Sequence, residues 1–178
     1  ISKSVGSILA VLGFSLLTAM AAQIRVPVPG TTVPMTLQTG VVLASGLFLG
    51  SRRGALSQIF YLLGGVVGLP FFAVSGATSL AMLAGPHGGY LLGFVLASYL
   101  CGILAQYISS RSLSFFTSYA LVLAASFLIL TPGTAQLKFF YDVSWDQALA
   151  MGLYPFLLGD LLKTALAVSA FKLKSLRS

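Results

Sequence analysis

Long stretches of the chain contain no charged side chain. None occurs over residues 4–24, 54–110 or 112–137, which hold 21, 57 and 26 residues. A helix needs about 20 apolar residues to cross about 30 Å of hydrocarbon, so the longest stretch has room for two spans and their connection. This pattern predicts an integral membrane protein.

Polar, proline-rich and glycine-rich segments divide the chain into six predicted transmembrane helices. The predicted spans cover about 5–24, 37–50, 54–69, 90–108, 113–130 and 147–171. Because these spans with short loops use nearly the whole chain, we expect one all-α membrane domain over 1–178. We expect its outer loops to be ordered above a substrate pocket.

The connections between the predicted spans have distinct compositions. Three prolines over 25–34 exclude a helix there, because proline removes a backbone donor. Residues 51–53 are expected to form a tight charged turn. Glycines within 70–89 predict a folded loop with one helical turn in 79–84, and Thr-Pro-Gly at 131–133 is expected to end the fifth span before a longer connection.

Composition strengthens the membrane interpretation and excludes other classes. The chain is 57% hydrophobic and 7% charged, whereas soluble domains are about 45–50% apolar and about 25% charged. Its net charge of +7 is scattered over span ends, so there is no basic face for nucleic acid. The single cysteine, Cys101, excludes a disulfide or a thiolate metal cluster within the chain, and we expect it to be buried.

The distribution of basic residues predicts the orientation of the chain. With six spans both termini share a side, and the opposite loops hold only Arg25 and Lys138. Positive charge collects on cytoplasmic loops, so both termini should face the cytoplasm of a bacterial inner membrane. The elaborate loops then face outward. The basic residues on the predicted inner side are Lys3, Arg52, Arg53, Arg111, Lys172, Lys174 and Arg177.

Two opposite charges lie inside the sixth predicted span. Asp160 and Lys163 are three residues apart, on one helical face. Ionisable groups in a membrane are costly and usually face a bundle interior or a water-filled cavity. A structural ion pair could be replaced by apolar packing without loss of stability, so we favour a ligand site. A packing pair and a proton relay through Asp160 are the alternatives.

Other polar residues have both a structural and a functional interpretation. Thr36 either caps the second helix or contacts a ligand. His87 is interpreted as a loop histidine, because the chain has no second histidine and no glutamate to complete a metal site. In the first span, Ser15 with Ala19 and Thr18 with Ala22 have the small-xxx-small spacing that lets another helix approach closely. That helix can belong to this chain or to another subunit.

Five short motifs occur in order along the chain. They are VPMTLQ at 33–38, GSRRGALS at 50–57, YLLG at 61–64 with GLP at 68–70, GPHGGYLLGF at 85–94 and GDLLK at 159–163. Together they resemble the BioY family, the biotin-specific membrane subunits of energy-coupling-factor (ECF) transporters. The family usually has Thr at the position of His87 and Pro at the position of Ser51.

The resemblance implies a six-helix subunit that is not an enzyme and that binds biotin at the outer face. Delivery inward would need a transmembrane coupling protein and two ABC-type ATPases, since this chain has no nucleotide motif. No cofactor is implied beyond biotin as the transported ligand. A proton-coupled secondary transporter of a small polar solute is the alternative function.

The resemblance also implies roles for particular residues. Asp160 and Lys163 are expected to contact biotin. Thr36, Gln38 and Tyr90 would line or close the pocket. Ser15, Thr18, Ala19 and Ala22 would dock the first helix on the coupling protein.

Overall fold

The structure, a computed structural model, describes residues 3–73 and 80–175. Gly76, Ser79 and Arg177, which we predicted to lie in an outer loop and the inner tail, fall outside the described residues. Within them the chain forms eight helices and one two-stranded antiparallel sheet. In order these are α1 (Lys3–Gln23), β1 (Arg25–Val26), β2 (Met35–Thr36), α2 (Gln38–Leu49), α3 (Ser51–Val66), α4 (Leu80–Ala84), α5 (Gly88–Ser110), α6 (Phe115–Tyr141), α7 (Trp145–Gly152) and α8 (Tyr154–Ser175).

Three of the described helices, α1, α5 and α6, are long and apolar enough to cross a membrane. α2 is apolar but has only 12 residues. α8 has 22 residues, but its sequence includes charged side chains near its middle and in its last turn. The structure therefore supports a multi-pass membrane protein, and the count of six spans stays a prediction.

Helix α5 lies at the centre of the fold, where it packs against α2, α3 and α6. Glycines allow these close contacts. A Cβ added to Gly102 would lie 2.0 Å from the backbone nitrogen of Ser51, and one added to Gly93 would lie 2.5 Å from the carbonyl oxygen of Leu128. The helix backbones therefore touch where α5 meets α3 and α6.

Two predicted connections are confirmed. Residues 27–34 contain no helix, and the flanking β1 and β2 pair with Arg25 opposite Thr36 and Val26 opposite Met35. The helical turn predicted within 79–84 is α4. The charged turn predicted at 51–53 was wrong, because Gly50 alone makes the reversal with φ of 83° and α3 begins at Ser51.

The predicted end of the fifth span at 131–133 was also wrong, because α6 continues through Pro132 to Tyr141. The N-terminal turn of α5 packs against this part of α6. A Cβ on Gly89 would lie 2.2 Å from the Pro132 carbonyl oxygen, and one on Gly133 would lie 2.3 Å from the Tyr90 ring. This packing supports the helix although proline removes one of its hydrogen bonds.

The sixth predicted span, 147–171, is two helices rather than one. α7 ends at Gly152 and α8 begins at Tyr154, with Leu153 between them. Pro155 explains the break, because its ring would clash with the carbonyl four residues earlier in a continuous helix. In the first turn of α8 the same proline is tolerated.

Candidate functional site

A cavity lies among the loop before α2, the segment after α3, and helices α2 to α6 and α8. It contains about 610 Å³ of empty space, part of it open to solvent. All five residues predicted to bind substrate line this cavity, although their binding role stays a prediction. These residues are Thr36, Gln38, Tyr90, Asp160 and Lys163.

The predicted charge pair is buried in the wall of this cavity. Lys163 Nζ lies 2.8 Å from Asp160 Oδ1 and donates a hydrogen bond to the Thr36 carbonyl at 3.2 Å. Thr39 Oγ1 donates to the same Asp160 Oδ1 at 3.0 Å. Asp160 Oδ2 is buried without a hydrogen-bond partner. One carboxylate oxygen is thus held by the protein, and the other has no hydrogen-bond partner.

The start of α2 is held by side chains that also line the cavity. Gln38 N donates to Thr36 Oγ1 at 3.3 Å, and Thr36 Oγ1 donates to Gln38 Oε1 at 3.2 Å. Gln38 Nε2 donates to the Tyr61 hydroxyl at 2.6 Å. The Thr36 side chain therefore accepts a hydrogen bond at the start of α2, while the Thr36 carbonyl oxygen accepts one from Lys163.

The hydroxyl of Tyr90 already has a hydrogen-bond partner within the protein. That hydroxyl donates to the carbonyl of Gly152 at 2.6 Å, which ties α5 to the end of α7. The ring of Tyr90 lies 6.2 Å from that of Phe156. Tyr90 therefore offers the cavity its aromatic surface rather than a free donor.

A second aromatic group completes the apolar wall. The Tyr61 ring lies 5.8 Å from the Phe72 ring and 6.2 Å from the Phe94 ring. Such rings suit the apolar body of a ligand, with a few polar groups fixing its orientation. Tyr61 and Thr39 were not among the predicted site residues, although Tyr61 begins one of the motifs quoted above.

His87 also lines the cavity, at the residue before α5. Its Nε2 lies 3.2 Å from the Thr32 carbonyl oxygen. Burial lowers the pKa of His87, and the hydrogen bond to Thr32 opposes part of that effect. The neutral ring is therefore favoured near pH 7.

The small residues of α1 face the chain's own helices. Ser15, Thr18, Ala19 and Ala22 are all buried, and α1 packs against α2 and α3. These residues therefore contact helices of the same chain, and their docking on the coupling protein stays a prediction. The exposed side of α1 is instead apolar and includes Leu16 and Met20.

Comparison with known proteins gives the family of the chain. A sequence profile described as the BioY family matches residues 2–177. The chain belongs to the BioY family. It is 36% identical to the "Biotin transporter BioY" of Thermotoga maritima over 92% of each chain. It is 33% identical to "Biotin transporter BioY2" of Lactococcus lactis subsp. cremoris, over 85% of this chain and 80% of that one.

A solved structure has the same fold as this BioY chain. It is the S-component for biotin from an ECF-type ABC transporter, and it matches with a TM-score of 0.83 at 21% identity. The match covers 95% of this chain and 90% of the other. The sequence profile and the relatives confirm the predicted family, a family of transporters rather than enzymes, and the solved structure shows the same fold.

Proposed function

We propose that this BioY chain is the biotin-binding membrane subunit of an ECF-type vitamin uptake transporter. It captures biotin at the outer face and delivers it inward with a transmembrane coupling protein and two ABC-type ATPases. The names of its relatives support this function. The observation on this chain that carries it is the buried Asp160–Lys163 pair, with one carboxylate oxygen left free in an aromatic cavity.

The chemistry of the pair suits a cyclic urea. Asp160 Oδ2 accepts a hydrogen bond from a ureido N–H. The Lys163 ammonium has three donors and uses two of them on Asp160 and Thr36, so the third can donate to the ureido oxygen. Because the pair is already neutral overall, an uncharged head group can bind without adding a buried charge. The aromatic wall then packs against the fused rings of biotin.

The proposed subunit is one domain of six transmembrane helices over 1–178 in a bacterial inner membrane. Helices α7 and α8 together form the sixth element of this bundle. Both termini face the cytoplasm, and the loops around the cavity face outward. The pocket needs no cofactor, and biotin occupies it as the transported ligand.

Biotin binding to the purified protein tests this proposal. Asp160→Asn removes the negative charge and replaces one carboxylate oxygen by an NH₂ donor, and Lys163→Ala removes the donor to the ureido oxygen. Hydrogen bonds to charged groups contribute about 1.5–3 kcal/mol, so each change should weaken biotin binding about 10- to 100-fold. Isothermal titration calorimetry in detergent measures the dissociation constant.

Matched controls separate the site from general effects of charge removal. Asp146→Asn makes the same change at an exposed carboxylate of α7, and Lys174→Ala does so at an exposed lysine near the end of α8. Both should bind biotin like the wild type. Unchanged affinity in both site variants would remove the assignment. Accumulation driven by a pH gradient in liposomes without an ATPase would favour the proton-coupled alternative.

A further inference from the structure

Unpartnered polar atoms in the cavity wall point to a second ligand contact. Among the described residues, five buried side-chain polar atoms have no hydrogen-bond partner. Only two of those five belong to residues that line the cavity: Asp160 Oδ2 and His87 Nδ1. A buried polar group without a partner costs about 1–3 kcal/mol, so these two atoms are candidates for completion by a ligand.

The hydrogen bond of His87 fixes which ring nitrogen carries the proton. Its Nε2 lies 3.2 Å from the carbonyl oxygen of Thr32. A carbonyl oxygen only accepts, so Nε2 must hold the hydrogen. In the neutral ring the other nitrogen is then a hydrogen-bond acceptor. His87 Nδ1 therefore presents a lone pair.

We propose that His87 is a specificity-determining residue of this pocket, in which Nδ1 accepts a hydrogen bond from the second ureido N–H of biotin. Asp160 Oδ2 accepts from the first. This inference rests on the proposed function, since the cyclic urea of biotin carries two N–H donors. One free carboxylate oxygen satisfies only one of them. His87 would thus select ligands that offer two donors.

The charged and titratable groups near His87 are few, and each has its own contacts. The other titratable groups of the cavity are Tyr61, Tyr90 and the Asp160–Lys163 pair. Both tyrosine hydroxyls are hydrogen-bonded, and the pair is held by its own contact. Arg25 lines an adjoining groove with Thr32.

Two substitutions separate the ligand contact from the contact with Thr32. The amide oxygen of His87→Asn can take the place of Nδ1 as an acceptor. The longer His87→Gln side chain can instead reach the Thr32 carbonyl, as Nε2 does. We expect His87→Asn to bind biotin within about threefold of the wild type and His87→Gln to bind about 10-fold more weakly. Melting temperatures of the ligand-free variants verify that both fold.

Two biotin analogues, each methylated at a different ureido nitrogen, provide a second test. Each should bind wild-type protein more weakly than biotin. In His87→Gln, one of the two analogues should bind as well as biotin does, because the donor it lacks has already lost its acceptor. Equal binding of biotin by the wild type and His87→Gln would overturn the inference. Failure of the wild type to bind biotin would overturn the proposed function itself.

The pH dependence of biotin affinity provides an independent test of the inference. Protonation converts Nδ1 from an acceptor into a donor, so biotin affinity should fall as pH is lowered from 7.5 to 5.5. Burial lowers the pKa of His87 below its usual value of about 6.5, so the loss of affinity should begin below that pH. The affinity of His87→Asn should be flat. A rise in wild-type affinity on acidification would instead indicate an imidazolium paired with the biotin carboxylate, and would contradict the inference.

Discussion

The two oxygens of Asp160 have different environments, although they belong to one carboxylate. Oδ1 accepts from Thr39 and contacts Lys163, which joins α8 to α2 and to the loop before it. Oδ2 has no partner. Breaking a buried ion pair by removing one member costs about 3–5 kcal/mol. A variant of Asp160 therefore changes stability through the contacts of Oδ1 and, under the proposed function, changes biotin binding through Oδ2, so both have to be measured.

The absence of a side chain at Gly102 allows α5 and α3 to approach closely. A Cβ at this position would lie 2.0 Å from Ser51 N and 2.3 Å from the carbonyl carbon of Gly50. These are backbone atoms, so α3 would have to move away from α5. We expect Gly102→Ala to destabilise the protein by about 1–3 kcal/mol, as overpacking typically does. A melting curve in detergent measures the change.

The control for this change is a glycine with free space around it. A Cβ at Gly13 of α1 meets no atom within 4 Å. Gly13→Ala should leave the melting temperature unchanged or raise it, since alanine favours a helix over glycine by about 0.5–1 kcal/mol. If Gly102→Ala melted at the same temperature as Gly13→Ala, the close approach of α5 and α3 would be contradicted.

Reasoning from charge alone finds only the charged residues of the cavity. Asp160 and Lys163 could be predicted because charge inside a membrane span is unusual whatever the fold. Thr39 and Tyr61 could not be selected by that argument. Hydroxyls and aromatic rings are common in membrane helices, and only the fold brings these two beside Asp160 and Gln38.

Among the helices, local rules are sufficient where a residue acts alone, and they fail where packing decides. Pro155 divides α7 from α8 by its own ring and missing donor, and with Gly152 nearby it was a signal we did not use. Pro132 carries the same local penalty but lies inside α6. Its helix is supported by Gly89 and Tyr90 of α5, a contact that no local pattern reveals.

The eight-residue helix α7 depends on its N-terminal cap. Ser144 accepts a hydrogen bond from Gln147 N at 3.3 Å, and the Gln147 side chain accepts from Ser144 N at 3.1 Å. Loss of such a cap costs about 1 kcal/mol. We expect Ser144→Ala to speed amide hydrogen exchange along the whole of α7, as measured by mass spectrometry.

A second capped helix provides the comparison. Ser114 accepts from Thr117 N at 3.2 Å at the start of the 27-residue α6. Ser114→Ala should speed exchange only in the first turn, because the rest of this long helix is held by packing. Equal protection of α7 in Ser144→Ala and the wild type would contradict a role for the cap.

At the scale of the whole molecule, the segments around the cavity are joined to one another. Gln23 Nε2 donates to the Pro70 carbonyl at 3.1 Å. Thr32 Oγ1 lies 3.0 Å from the Tyr141 hydroxyl, and its carbonyl contacts His87. At the other end, Lys172 donates to the Leu113 carbonyl, beside the turn between α5 and α6. One end of the bundle thus carries hydrogen-bonded loops, and the other carries the short turn between α5 and α6 beside Lys172.

This asymmetry leads to a test of orientation by cysteine labelling. Asp146 and Ser110 are exposed residues near opposite predicted surfaces, and the native Cys101 is fully buried, so background labelling should be low. In intact cells, a membrane-impermeant maleimide should label Asp146→Cys and leave Ser110→Cys unlabelled. Basic residues are retained on the cytoplasmic side, and Arg111 directly follows Ser110. Permeabilised cells should label both variants, which verifies that each thiol is accessible. The reverse pattern in intact cells would place the cavity loops on the cytoplasmic side and exclude capture of biotin from outside.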